Sequence, residues 1–227
     1  MRYTRVMLLF LVRHALTSMT GKKLSGWLPG ISLSPEGVKQ AEHVAGRMKD
    51  LPLKAVYSSP LERCAETAEQ IAANHDLRVQ VVEGLGEIRY GDWQGKTMTS
   101  LYKSKLWSEL KARPGDFRFP NGETVREAQT RGMATVERLR PLHKGQAIAV
   151  CSHADLIRLL VAGYTGLSID LYDRITIAPA SVTTLLLMPG GTPRLLKLSD
   201  TGDFADVMQR LSAVNGSAKA ARGKAKR

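Results

Sequence analysis

The chain has 227 residues, 43% apolar and 24% charged. That is enough to close a hydrophobic core without disulfides or structural metal, and the wrong composition for a disordered or fibrous protein. The formal net charge is +12, but residues 216–227 hold five basic side chains and no acid, so part of the excess reads as a solvated terminus while the remainder favours anionic substrates.

Val6–Val12 is a continuous apolar run far too short to span a bilayer. Arg13-His14 follow it directly with no small-residue cleavage site, so it reads as a first buried strand of a cytoplasmic protein, with no membrane partner. Ser34-Pro35 then supplies an N-cap and a first-turn proline for a helix whose apolar positions are Val38, Ala41, Val44, Ala45 and Met48. Ala55–Tyr57 is a short strand, followed by a helix with Leu61, Cys64, Ala65, Ala68, Ile71 and Ala72 on one face. Val79–Val82 reads as a third strand.

Residues 96–123 are irregular, with a helical stretch between Leu101 and Leu110 and breaks at Pro114, Gly115 and Pro120. Their basic residues outnumber Glu109 and Asp116, which fits either a solvated helix or a lid over an anionic substrate. Thr124–Leu139 returns to a helical period, Ala147–Cys151 is a buried strand, and a helix starts at Leu156. Val182–Met188 and Arg194–Leu198 read as two strands joined by a turn at Gly190-Gly191. Alternating strands and helices predict an α/β fold with a mostly parallel sheet, in which ligands bind beyond the carboxyl ends of the strands.

Searching those ends finds Arg13 and His14 after the first strand, and Ser58, Ser59 and Arg63 after the second. Glu87 follows the third and His153 the strand at 147–151. Each alone has an ordinary explanation, but together they make a coherent chemistry. Guanidinium groups grip phosphate oxygens bidentately, and a neutral imidazole can attack phosphorus. A second, protonated histidine can neutralise charge growing on the equatorial oxygens, and a carboxylic acid can protonate the departing alkoxide. No metal-ligand spacing occurs and the chemistry asks for neither metal nor cofactor. His43, His75 and His143 sit at no strand end and are expected at the surface.

Alternative motifs fail on spacing. Cys151 is followed by Arg158 one position too late for a cysteine phosphatase, and Gly91–Thr97 has three residues between its glycines where a Walker loop has four. The two cysteines give neither a disulfide framework nor a CxxC pair, which fits a reducing compartment.

The stretch Leu11-Val12-Arg13-His14-Ala15-Leu16-Thr17 resembles the nucleophile signature of the histidine phosphatase superfamily, also called phosphoglycerate mutase-like. Residues 57–68 (YSSPLERCAETA) are similar to its second arginine motif, and 85–95 (LGEIRYGDWQG) to its acid-bearing segment. Ser152-His153 matches its second histidine, and Gly26-Trp27 and residues 33–37 (LSPEG) also fall in the family's order. The resemblance implies a three-layer α/β/α sandwich; the catalytic domain is expected over residues 1–212, with 213–227 a basic tail whose composition predicts disorder. It also implies His14 as phosphoryl acceptor, Arg13, Arg63 and His153 as the phosphate pocket, and Glu87 as proton donor. Ala15 stands where the family has glycine, and Thr20 where many members have a phosphate-contacting asparagine, so Thr20 is a candidate contact through one hydroxyl.

These features predict a metal-independent phosphatase acting on a small phosphorylated substrate through a phosphohistidine. Phe119-Pro120-Asn121-Gly122-Glu123 resembles an insertion end common in the family's phosphatases, while Ile88-Arg89 replaces the Arg-His of its mutases. Phosphoglycerate mutase is the alternative, and a non-catalytic anion-binding protein a further one. Nucleic acid as a partner rests on the basic tail alone, and nothing in the sequence fixes an oligomeric state.

Overall fold

The computed structural model describes residues 6–202; the expected basic tail lies outside the described residues. Twelve regular elements occur among them. In chain order these are β1 (Met7–Arg13), α1 (Pro35–Met48), β2 (Leu53–Ser58), α2 (Glu62–Ala73), β3 (Val79–Val81), α3 (Met98–Tyr102), α4 (Lys105–Ala112), α5 (Val125–Leu139), β4 (Ala147–Ser152), α6 (Ala154–Thr165), β5 (Val182–Leu187) and β6 (Arg194–Asp200). The strands form one sheet in the order β3-β2-β4-β1-β5-β6. The pairs β3–β2, β2–β4 and β4–β1 are parallel, and β1–β5 and β5–β6 antiparallel, so the sheet is mixed and mostly parallel as the alternation predicts.

The apolar run of β1 follows from its central place. Leu8, Phe10 and Val12 face a core with Ala41, Val44 and Met48 of α1 and Cys64, Ala68 and Ile71 of α2. Met7, Leu9 and Leu11 face the other core, with Val136 and Leu139 of α5 and Leu156, Ile157 and Leu160 of α6. A strand covered on both faces must be apolar at every position, with full burial of each large side chain stabilising by about 1.5–3 kcal/mol. Helix starts follow local chemistry. The Ser34 hydroxyl accepts from the Gly37 amide ahead of Pro35, and Thr124 and Glu127 form a reciprocal capping box on α5.

Two expectations change. The helical stretch from Leu101 to Leu110 is two short helices, because Thr97 and Ser104 each cap a new start, accepting from the amides of Ser100 and Trp107. His143 is buried, not at the surface. Its Nδ1–H donates to Gln146 Oε1 at 2.9 Å, so Nε2 accepts from the Tyr57 hydroxyl at 2.7 Å. The Tyr57 ring of β2 also meets it edge-on, with centroids 5.6 Å apart. His43 is exposed and His75 half-buried. Both cysteines are free and buried. Among the described residues, no helix is long and apolar enough to cross a membrane.

Register explains where the site forms. Arg13 of β1 pairs with Ser152 of β4, and Ser58 of β2 with Cys151 of β4. Three parallel strands therefore end at one level, and the residues just past them meet.

Candidate active site

A cleft of about 410 Å³ opens at that level, with Arg13, His14, Arg63 and Glu87 on its wall together with Thr20, Gly26, Tyr90, Asp155 and Arg158. Five of the six residues singled out as catalytic or phosphate-binding, Thr20 included, therefore share it. His153 does not line it: the ring is wholly buried beneath, 5.3 Å from that of His14 in an edge contact.

His14 follows β1, and its Nδ1 lies 2.7 Å from the Ala15 carbonyl. A carbonyl only accepts, so Nδ1 carries the proton and Nε2 the lone pair. Alanine supplies the same main-chain oxygen as glycine would. Burial, then the charges of Arg63 and Arg13, hold the His14 imidazole well below its usual range. The ring is a neutral base of defined tautomer.

Arg63, in the first turn of α2, is 1% exposed. Its Nη2 donates to the Gly26 carbonyl at 2.8 Å and to His153 Nδ1 at 3.2 Å, while Nε and Nη1 have no protein partner. Arg13 donates from Nη1 to the Ile177 carbonyl at 2.6 Å, and its Nε is likewise buried without a partner. Buried guanidinium donors left unpaired are costly, and together these three nitrogens suit an anion. Gly26 makes one anchor possible: its φ is +51°, and a Cβ there would fall 2.5 Å from Gln94 Oε1.

His153 departs from the expected protonated ring on the phosphate. Its Nδ1 accepts from Arg63, so Nε2–H donates to Ser59 Oγ at 2.8 Å. Burial, then Arg63, His14 and Arg13, push its pKa well below the usual value, because adding a proton there would put a third cation into a closed space. In this arrangement His153 aims Arg63. Thr20 lies on the wall with its hydroxyl engaged by the Thr17 amide and hydroxyl, both at 3.0 Å.

Glu87 sits in the loop after β3. Its Oε1 accepts from the Ile88 amide at 3.0 Å and the Leu156 amide at 3.2 Å, so a proton on the carboxyl belongs on Oε2. Burial first, and the Asp155 carboxylate second, raise its pKa to about 7, against the pull of those amides and Arg63. The segment is fixed from outside. Trp27 Nε1 and Arg131 Nη2 both donate to the Glu87 carbonyl, at 2.6 and 3.0 Å, and Arg131 also holds the carbonyls of Gly84 and Gly86 and the Glu123 carboxylate.

Two contributors escaped the sequence reading. Asp155, in the first turn of α6, accepts from Tyr90 Oη and Arg158 Nη1, each at 2.6 Å. The strand-end rule could have found it, two residues beyond His153. Arg131 lies mid-helix in α5, and no local signal marks it. Residues 96–123 cover the cleft with Met98, Tyr102, Trp107, Leu110 and Phe119, which is an apolar surface; of their basic residues, Lys111 alone reaches the wall. Among the described residues, no group of His, Cys, Asp and Glu could hold a metal ion.

The model of the histidine phosphatase superfamily (branch 1) matches residues 9–201. Phosphoglycerate mutase-like protein 4 of Arabidopsis thaliana is 34% identical over 155 residues, 66% of this chain and 67% of that protein. Phosphoserine phosphatase 1 of Hydrogenobacter thermophilus is 29% identical over 167 residues, 71% of this chain and 78% of that protein. The fold is shared with mycobacterial glucosyl-3-phosphoglycerate phosphatase at a TM-score of 0.78 and 23% identity, over 87% of this chain and all of that one. With the matched family model spanning both arginines, both histidines and the acid, the chain belongs to the histidine phosphatase superfamily.

Proposed function

We propose that the protein is a phosphatase that hydrolyses phosphate monoesters through a phosphohistidine on His14, without a metal ion. The observation that carries this reading is the His14 ring: neutral, with its proton tied to the Ala15 carbonyl, it offers Nε2 as a nucleophile beside two arginines with unpaired buried donors.

Nε2 attacks phosphorus as the ester P–O bond breaks, and Arg13 and Arg63 hold the equatorial oxygens. The Glu87 carboxyl gives its proton to the departing oxygen. The resulting carboxylate then takes a proton from water attacking the phosphohistidine. The P–N bond breaks, orthophosphate leaves, and both residues return to their starting states.

Brief incubation with a phosphorus-labelled ester, followed by quenching, should give protein-bound label that is stable in alkali and lost in acid, mapping to His14. Label on another residue, or loss of turnover in excess EDTA restored by a divalent ion, would overturn this mechanism. The mutase alternative draws on the family resemblance, which includes a mutase-like relative. It is disfavoured by Arg89, which is paired with Glu83 at 2.6 Å and stacked on Trp27 outside the cleft. Efficient interconversion of 2- and 3-phosphoglycerate would favour it.

A further inference from the structure

The cleft is much larger than a phosphate group needs, and its volume of about 410 Å³ is of the size that encloses whole organic ligands. Its far half has a different chemistry from the strand ends. Tyr102 is 57% exposed and meets Trp107 edge-on, with ring centroids 4.7 Å apart. Trp107 in turn stacks on the buried Trp93 at 6.0 Å. Leu24, Met98 and Leu110 complete this wall.

The charges at that end are mostly satisfied within the protein. Lys111 is bound to Asp173, and Asp155 takes both Arg158 and the Tyr90 hydroxyl. Lys23 is on the exposed mouth, and Arg158 keeps one buried N–H, Nε, without a partner. Aromatic surface open to a cleft continuous with a phosphate site gains free energy only when an apolar group covers it.

We propose that this wall binds the leaving group, and that the preferred substrates are phosphate monoesters of aromatic or bulky apolar alcohols. The assignment rests on the phosphatase reading for its catalytic part, but the subsite itself is a binding property. A phosphoryl group on His14 would leave the first carbons of the alcohol beside Glu87 and Tyr90, and a ring beyond them against Trp107 and Tyr102.

Two measurements test it. By calorimetry, benzylphosphonate, whose C–P bond cannot be hydrolysed, should bind about ten- to a hundred-fold tighter than ethylphosphonate. In kinetics, benzyl phosphate should exceed glycerol 3-phosphate in kcat/KM by a similar factor. Both release alkoxides of comparable basicity, so the ratio reports on the subsite and not on leaving-group reactivity. Trp107→Ala should bring both ratios towards one. Should that variant unfold through its contact with Trp93, Tyr102→Ala, at an exposed position, should still reduce them several-fold. Equal binding of the two phosphonates, ratios that survive both substitutions, or 3-phosphoglycerate outperforming benzyl phosphate would overturn the assignment, the last pointing to Arg158 as an anion contact. A preserved binding ratio with no phosphate release from any ester would keep the apolar subsite and sink the phosphatase reading instead.

Discussion

At the inner end of the cleft Arg63 and Arg13 keep buried N–H groups without protein partners and have no ion pair among the described residues, while at the outer end Lys111 is closed by Asp173 and Arg158, whose Nε is also unpartnered, is ion-paired with Asp155. The inner end thus presents cationic donors, anchored by the Ile177 and Gly26 carbonyls, that no protein group satisfies. The outer end is largely neutralised and presents hydrocarbon. Charge that is left unpaired binds and activates an anion; charge that is paired lets area and shape decide what else enters. The two ends should therefore respond to mutation in different ways.

The largest effect is expected at the inner end. His14→Ala removes the proposed nucleophile and should cost about 10³–10⁶ in kcat on every ester, whatever its leaving group. Steady-state phosphate release from matched wild-type and variant protein checks this, and near-normal turnover would break the inner-end account. Glu87→Gln comes next. It keeps an acceptor oxygen for the amides of Ile88 and Leu156 but has no proton to give. Alkyl phosphates, with basic leaving groups, should lose about 10²–10⁴ in rate. The nitrophenolate of p-nitrophenyl phosphate leaves unprotonated and should lose far less. Equal losses on both, with chemistry rate-limiting, would show that Glu87 is not the acid.

The same substitution carries a smaller effect on stability, whose sign follows from the raised pKa. Glu87 titrates near 4.5 unfolded and about 7 folded, so the folded state binds more protons between those values. Its contribution is lost as pH rises through that window. Glu87→Gln should accordingly be more stable than wild type above pH 7, by about 1–3 kcal/mol, with the gain vanishing near pH 4. Urea unfolding at both pH values tests it, and no gain at the higher pH would mean the carboxyl is not held protonated. His14 and His153 act in the opposite sense, since their depressed pKa values lower stability as pH falls below about 6.5.

The two ends also differ in how far the sequence revealed them. Arg13, His14 and His153 stand at or just past the ends of β1 and β4, whose apolar runs are unmistakable, and Arg63 and Glu87 follow β2 and the short β3 by five and six residues, so all five can be found from strand ends and short motifs. What that reading misses is layering. Whether His153 touches the cleft or lies beneath it depends on how Arg63 and Ser59 turn the ring, and no spacing encodes that. His143 was misjudged for a related reason, because its burial comes from Tyr57, 86 residues away. The outer wall was hidden by its own composition. Lys103, Lys105, Lys111 and Arg113 dominate the string between 96 and 123, yet the faces that meet the cleft belong mainly to Met98, Tyr102, Trp107 and Leu110. Helices of five and eight residues are too short for a period to declare which side is inward.

The smallest effect expected lies where the two ends join, at Asp155. Its carboxylate is held by Tyr90 and Arg158, one residue before the Leu156 amide that grips Glu87, and its negative charge is the second cause of the raised Glu87 pKa. Asp155→Asn keeps an acceptor for the Tyr90 hydroxyl but removes the charge and leaves the Arg158 cation uncompensated. Both changes favour the Glu87 carboxylate, in the same direction as Arg63 already pulls. The alkaline limb of kcat/KM for an alkyl phosphate should then move to lower pH. Activity would fall only a few-fold at neutral pH and stay close to wild type well below the limb, since the proposed nucleophile His14 and the proposed phosphate contacts Arg13 and Arg63 are untouched. For p-nitrophenyl phosphate, which needs no acid, the profile should barely respond. A role confined to anchoring α6 would lower activity evenly across pH and on both substrates, and a limb that stays in place would break the link between the outer ion pair and the inner acid.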